Sequence, residues 1–432
     1  MRLLLLIVFA ASLPVLAQAQ TSALLHVEGV KRTRLVYLAA NLDEVAVSEV
    51  DTALLLASAS GVVDSAFLRG FRQNLLNLPP IQGAELRTDT LATGQVLITA
   101  TLREARTRFP VFGFGGVRGN INFEVGLTDV HGFGRGRELT AVYRNNDGEQ
   151  GFLARYVDPA LRNSRFGLEL ELQRYAAVEP VFFASRALDY RYVNEGGGAL
   201  LRYRLRQRHT VGLGLTVFRE DFRRFDQESE LAEAPLRLVQ RKQLFKFEHV
   251  LDRRDYRRER IGGHDQRTYV QLVTSAGEAP FAIAWHETRY YRLIGARGNL
   301  ALRGRLGLST NRDSPFAPFT LDAQLNIRGS GNRADRGTAQ AILNAEYRHR
   351  VWADEKDNYS AQVVVFSDLG AWRSPGGDLR ELTDAATVQH FVGGGVRLIS
   401  AKAKNLVLRV DYGVDWRSPE RRGIVVGAGH YF

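Results

Sequence analysis

"RFGLELELQRY", residues 165–175, alternates with period two: Phe166, Leu168, Leu170 and Leu172 fall on one side, Glu169, Glu171 and Gln173 on the other. A β-strand turns successive side chains to opposite faces, so this segment is a strand with one apolar and one charged surface. In a soluble sandwich the apolar face would join a core. In a membrane barrel it faces lipid, and the glutamates face a wet lumen.

The N-terminal end favours the barrel. "MRLLLLIVFAASLPVLAQAQ" has a basic Arg2, an apolar run from Leu3 to Leu16 and the small-residue site Ala17-Gln18-Ala19, the layout of a secretory signal peptide over residues 1–19. The run is short of the roughly 20 residues a spanning helix needs. The chain of 432 residues has no cysteine, so an exported fold here relies on burial or sheet closure, and lipid attachment at cysteine is excluded. Its formal charge of +11 fits arginines at lipid phosphates, lumen walls and loops better than a nucleic-acid partner, given export.

From about residue 110, segments of about ten residues repeat this alternation between Gly, Asn, Asp and Arg turns. They predict about 16 antiparallel strands, near 120–127, 136–145, 150–157, 165–175, 182–193, 197–206, 210–219, 239–251, 264–275, 281–294, 299–310, 338–350, 359–372, 388–400, 404–416 and 421–432. Such a sheet must close on itself, because backbone edges cannot stay unpaired in hydrocarbon. The ending "GIVVGAGHYF", residues 423–432, then reads as the closing strand with Phe432 at its rim. Upstream, "ALLHVEGVKRTR" reads as a strand, "LVYLAANL" as a short helix, and "DSAFLRGFRQNLLNLPP" as a helix capped by Asp64 or Ser65, with Phe67, Phe71 and Leu75 on one stripe. "AELRTDT" and "GQVLITATLRE" follow as strands, giving one small α+β domain over residues 20–108 and a barrel over 109–432.

These features resemble the outer-membrane barrels that insert or translocate proteins: BamA, TamA and the two-partner-secretion transporters. The resemblance is to a periplasmic polypeptide-transport-associated (POTRA) domain through "VEGVKRTR", "RQNLLNL" and "ITATLRE", followed by a 16-stranded barrel. "GLTDVHGFGRGREL" is similar to the family's first extracellular turn, "YVDPAL" to the end of its third strand, and "LDRRDYRRERIGG" to the turn between strands eight and nine. In "NIRGSGN", Ile327, Arg328 and Gly329 match the motif of a long loop that folds into the lumen, with Ser330 where an aromatic is usual. "NAEYR" resembles strand twelve. "VVVFSDLGAW" matches the Phe-x-Asp-x-Gly motif at Phe366, Asp368 and Gly370; "LVLRVDYG" matches strand fifteen at Arg409 and Asp411. The terminal Gly427, Gly429, Tyr431 and Phe432 match the closing seam and C-terminal assembly signal.

A guanidinium inside a barrel needs a carboxylate. Asp368 shares the parity of Phe366 and Gly370 and projects into the lumen, where Arg328 can take it with a bidentate bond. The resemblance implies that this pair holds the loop; composition alone would pair Arg328 with whichever acid lies near. Gly423, Gly427 and Gly429 either weaken the seam, so that a client strand can enter there, or relieve crowding beside Tyr431. The expected function is protein insertion or translocation, with outer-membrane lipid, unfolded protein clients and other assembly-machinery subunits as partners and the N-terminal domain in the periplasm. The alternatives are a passive diffusion pore and a structural or adhesion barrel. No Gly-x-Ser-x-Gly, His-Glu-x-x-His or phosphate-binding glycine loop occurs, and the nine histidines lack ligand spacing, so no enzyme, cofactor or metal is expected.

Overall fold

The structure is a computed structural model that describes residues 21–43, 45–47, 54–57, 63–117, 120–183, 187–225, 234–257, 259–331, 335–356, 358–402 and 406–432. The expected signal peptide lies outside the described residues. The N-terminal unit runs β1 (Thr21–Glu28), α1 (Leu35–Asn41), β2 (Val45–Val47), β3 (Leu54–Ala57), α2 (Ser65–Asn77), β4 (Ile81–Thr90) and β5 (Val96–Glu104). Its sheet has the order β2-β3-β1-β5-β4. The pair β2 and β3 adds two short strands that the sequence reading left out.

Asp64 caps α2 by accepting from the Phe67 amide at 2.7 Å, and Phe71 and Leu75 one turn apart bury against Leu25, Leu38, Ile98 and Ala100. Glu104 accepts from the amides of Arg32 and Thr33 at 3.0 and 2.6 Å, fixing the segment before α1. Burial alone would raise the Glu104 pKa, but these bonds and the Thr33 hydroxyl outweigh it and hold the carboxyl below its ordinary value.

The barrel comprises β6 (Arg108–Val117), β7 (Asn120–Gly132), β8 (Arg137–Asn146), β9 (Glu149–Asp158), β10 (Phe166–Phe182), β11 (Ala187–Arg206), β12 (His209–Arg224), β13 (Arg237–Arg257), β14 (Arg260–Ser275), β15 (Phe281–Ile294) and β16 (Gly298–Ser309). After a long loop holding β17 (Phe319–Leu321) and β18 (Asp335–Gly337) come β19 (Ala339–Ala353), β20 (Tyr359–Arg373), β21 (Gln389–Ser400), β22 (Leu406–Asp415) and β23 (Arg422–Ala428). β17 and β18 pair with each other inside the loop, and the other 16 strands close into one antiparallel barrel. Leu127, Leu172, Leu213, Leu306 and Leu343 on the outer wall are each over 60% exposed, while Arg328, Asp368, Arg397 and Asp411 inside are fully buried. This inversion of the usual burial rule marks a lipid-facing exterior.

The N-terminal unit docks on one end of the barrel, called here the near end. Arg34 N donates to Gly134 O at 3.0 Å, Tyr37 meets His131 edge-on at 4.8 Å, and Asn77 donates to Asp255 at 3.1 Å.

Four sequence expectations need correction. The first strand, β6, was not expected, because Pro110 and three glycines interrupt its apolar alternation. The segments 182–193 and 197–206 were expected as two strands; 187–206 is one strand running through Gly196-Gly197-Gly198, so the count of 16 survives by compensation. "YVDPAL" therefore ends the fourth strand. The turn after Gly132 was expected to be extracellular like the long loop; it lies at the near end against α1, and the long loop enters from the opposite end.

Candidate functional site

The loop between β16 and β19 folds back into the lumen. Phe319, Leu321 and Ile327 pack with Ile342, Trp372 and Phe391 of the wall, which seats the loop by ordinary apolar burial. At its tip Gly329 has φ +93°, and a Cβ there would stand 2.5 Å from Gly413 O, so only glycine lets loop backbone lie on β22. Gly370 similarly leaves room for the Ile327 side chain.

Arg328 grips Asp368 with both arms: Nε donates to Oδ2 at 2.8 Å and Nη2 to Oδ1 at 2.9 Å, while its backbone N–H donates to Oδ2 at 3.1 Å. Nη1 pairs with Glu346, and the guanidinium lies 3.6 Å from the Phe366 ring centroid and 4.4 Å from that of Tyr431. Asn344 donates to Asp368 Oδ1 and to Asn326 O, both at 2.9 Å, tying wall to loop. Burial disfavours the Arg328 charge, but Asp368 and Glu346 more than offset it, and its pKa lies above the ordinary guanidinium value.

Around this grip is a larger buried network. Glu346 also pairs with Arg348 and with Arg397 at 3.3 Å; Asp411 pairs with Arg397 at 2.7 Å and Arg409 at 3.6 Å. Four guanidiniums thus share three carboxylates, and Arg348 Nη1, Arg397 Nε and Arg409 Nε are buried without a hydrogen-bond acceptor among the described residues. Such a network costs much to bury and breaks sharply when one member is lost.

The closing strand differs from the expectation. β23 stops at Ala428, and at Gly429, with φ +86°, the chain turns off the sheet into the lumen. His430, Tyr431 and Phe432 follow it inward. Tyr431 donates to Ala323 O of the loop at 3.0 Å and covers Arg409 at 4.9 Å; Phe432 O accepts from Arg348 at 3.3 Å. Phe432 therefore sits under the ion network and not at a strand end. The reason is local: Phe432 finds Ile261, Tyr291 and Ala301 to pack on, and the arginines find aromatic faces.

Because the tail leaves, β23 meets β6 only over Ile424–Gly427 against Gly113–Gly116, the shortest ladder of the barrel among the described residues. β10 and β11, by contrast, pair along the whole of Phe166–Phe182. Gly427 stands in the seam, where a Cβ would lie 3.1 Å from Arg409 Nη2. Loop residue Gln324 reaches the same place, donating to Asn122 at 3.2 Å beside Gly115.

The structure thus brings together Ile327, Arg328, Gly329, Phe366, Asp368, Gly370, Arg409, Asp411 and Tyr431. Sequence reasoning missed Arg397, whose signal is a lone arginine between the outward Val396 and Leu398, and Asn344, which carries no signal beyond its lumen parity. It also gave no aromatic cover for Arg328 at Ser330; Ser330 instead donates to Ile327 O at 2.8 Å, and Phe366 and Tyr431 supply the cover.

The family described as Omp85 superfamily domain matches residues 132–432. No curated protein matches the sequence. Among solved structures the chain is similar to BamA from Haemophilus ducreyi lacking POTRA domains 1–3, at 16% identity over 94% of this chain and 84% of that one, with TM-score 0.53. It is similar to CdiB from Acinetobacter baumannii at 12% identity over 95% and 74%, TM-score 0.58, and to CdiB from Escherichia coli at 10% over 95% and 77%, TM-score 0.60. At these identities the likeness is one of fold.

Proposed function

This chain belongs to the Omp85 superfamily of outer-membrane β-barrels, and from that premise we propose that it inserts or translocates unfolded proteins at the outer membrane, handling them at the seam between β6 and β23. The observation that carries this reading is the four-residue seam beside a tail that has already left the sheet. A short ladder rich in glycine is the cheapest in the barrel to open, and each opened edge offers a row of backbone donors and acceptors to an incoming strand. The docked loop and tail keep the lumen filled meanwhile. Arg328 and Asp368 hold the loop down, Arg409 of β22, itself paired with Asp411, holds the tail through the Tyr431 ring, and the N-terminal unit, on the periplasmic side, receives the client. Every step is pairing and unpairing, with no covalent chemistry.

The test is reconstitution in liposomes, with folding of an outer-membrane barrel client followed by its gel shift. The full protein should accelerate folding, and a form lacking residues 21–104, which spares β6, should not. A large steady conductance without any client folding would make the chain a diffusion pore instead.

A further inference from the structure

Between the N-terminal unit and the near rim of the barrel lies a cavity of about 1120 Å³. Its walls are α2, the strands β4 and β5, and the ends of β13, β14, β19 and β21, and His430 of the tail forms part of its inner end. Its charge is lopsided. Arg69, Arg72, Arg103, Arg257, Arg260 and Lys356 line it, and none of the six forms an ion pair with a described carboxylate. Of the three acids there, Glu259 is taken by Arg350 at 3.2 Å and Asp255 by Arg208 at 3.0 Å, leaving Glu85.

The lumen cavity beyond the tail is different. It is about 840 Å³, and Arg144, Lys242, Arg336 and Arg409 are matched by Glu124, Glu220, Glu278 and Asp322. Two of these pairs are in contact, Arg144 with Glu124 at 3.2 Å and Lys242 with Glu220 at 2.6 Å. The positive excess therefore belongs to the vestibule and is not a general property of the interior.

We propose that this vestibule is a binding site for acidic stretches of extended polypeptide, so that the protein takes hold of its clients by their Asp- and Glu-rich segments; the proposal rests on the client-handling reading above. Like charges facing one another across a confined space cost energy that an anionic guest relieves, and low-dielectric walls focus the field on it. The volume exceeds that of most small-molecule pockets. A polypeptide fits better than a lipid headgroup because β4, at the outside of its sheet, runs along the wall from Ile81 to Glu85, and although Arg72 Nε already donates to Ala84 O at 2.8 Å, a sheet-edge strand offers a row of backbone groups that an extended chain matches and a headgroup does not.

The test uses the full-length protein in neutral detergent and labelled extended peptides of about twelve residues, alike except that one carries Asp and Glu where the other carries Asn and Gln. By fluorescence anisotropy the acidic peptide should bind at least about tenfold more tightly at roughly 50 mM salt, with the advantage collapsing at several hundred millimolar. The double variant Arg103→Glu, Arg257→Glu, at two exposed positions, should abolish the advantage and leave the amide peptide unaffected. Equal affinity for the two peptides, or an advantage that survives the double variant, overturns the proposal while leaving client handling intact. Displacement of the acidic peptide by stoichiometric phosphatidylglycerol would assign the charge to lipid and overturn it too. Binding of neither peptide would overturn the proposal and remove support for client handling as well, which the liposome assay judges independently.

Discussion

Replacing Arg328 with alanine removes a fully buried guanidinium from two bonds to Asp368 and a pair with Glu346. The three carboxylates do not suffer equally. Glu346 keeps Arg348 and Arg397, and Asp411 keeps Arg397 and Arg409, but Asp368 loses its only cation in direct hydrogen-bond contact among the described residues and keeps two neutral donors, Asn344 and the backbone amide of residue 328. Orphaning one member of a buried pair costs about 3–5 kcal/mol, a shift of roughly two to three and a half powers of ten in the equilibrium between seated and released loop tip. Phe319 and Leu321 remain packed, so the tip should loosen before the whole loop leaves. In planar bilayers the wild type should show a small, fluctuating conductance and Arg328→Ala a larger one with more frequent openings, matched by new protease cuts within residues 310–338. Adding Asp368→Asn removes the orphaned charge and should return part of the loss, whereas Arg328→Lys, a point charge without the planar fork, should fall between. The reasoning is refuted if Arg328→Ala leaves conductance and proteolysis unchanged, or if the double variant is worse than the single.

Tyr431→Ala removes an aromatic face from Arg328 and Arg409 together with the bond to Ala323 O, and should release the loop by about 2–3 kcal/mol, while Tyr431→Phe loses only the hydrogen bond, about 1 kcal/mol; the same conductance records rank the two. Glu104 provides a pH dependence. Because its folded pKa lies below the ordinary 4.5, its contribution is complete above that value and is lost as pH falls through the folded one. Protection factors at residues 31–34, that is, the intrinsic exchange rate at each pH divided by the observed one, should therefore fall as pH drops below 4.5, and Glu104→Gln should remove that pH dependence.

The barrel was legible because lipid on one side and water on the other force an alternation that survives in "RFGLELELQRY". The places where it was misread are those where glycine carries structure instead of punctuation. Gly196-Gly197-Gly198 looks like a turn, yet it lies mid-strand, where a Cβ on Gly197 would strike Leu172. In β6 the lumen-side Gly113 and Gly115 make way for Glu124 and Gln324, and the apolar signal fades with them. The Arg328 and Asp368 contact was reachable from parity and the resemblance. The inward tail was not, because Tyr431 and Phe432 suit a strand end as well as a lumen; what draws them inside is an ion network assembled from β19, β21 and β22, which no local pattern announces.

The seam is tested most directly by locking it. The chain has no cysteine, and Phe114 of β6 stands opposite Val426 of β23, a spacing a disulfide can span. A control bond between Leu408 and Ala428, opposed on β22 and β23, leaves the seam free. In the liposome assay, oxidised Phe114→Cys, Val426→Cys protein should lose client folding and regain it on reduction, while the control pair stays active throughout. Full activity of the oxidised seam pair would contradict the account.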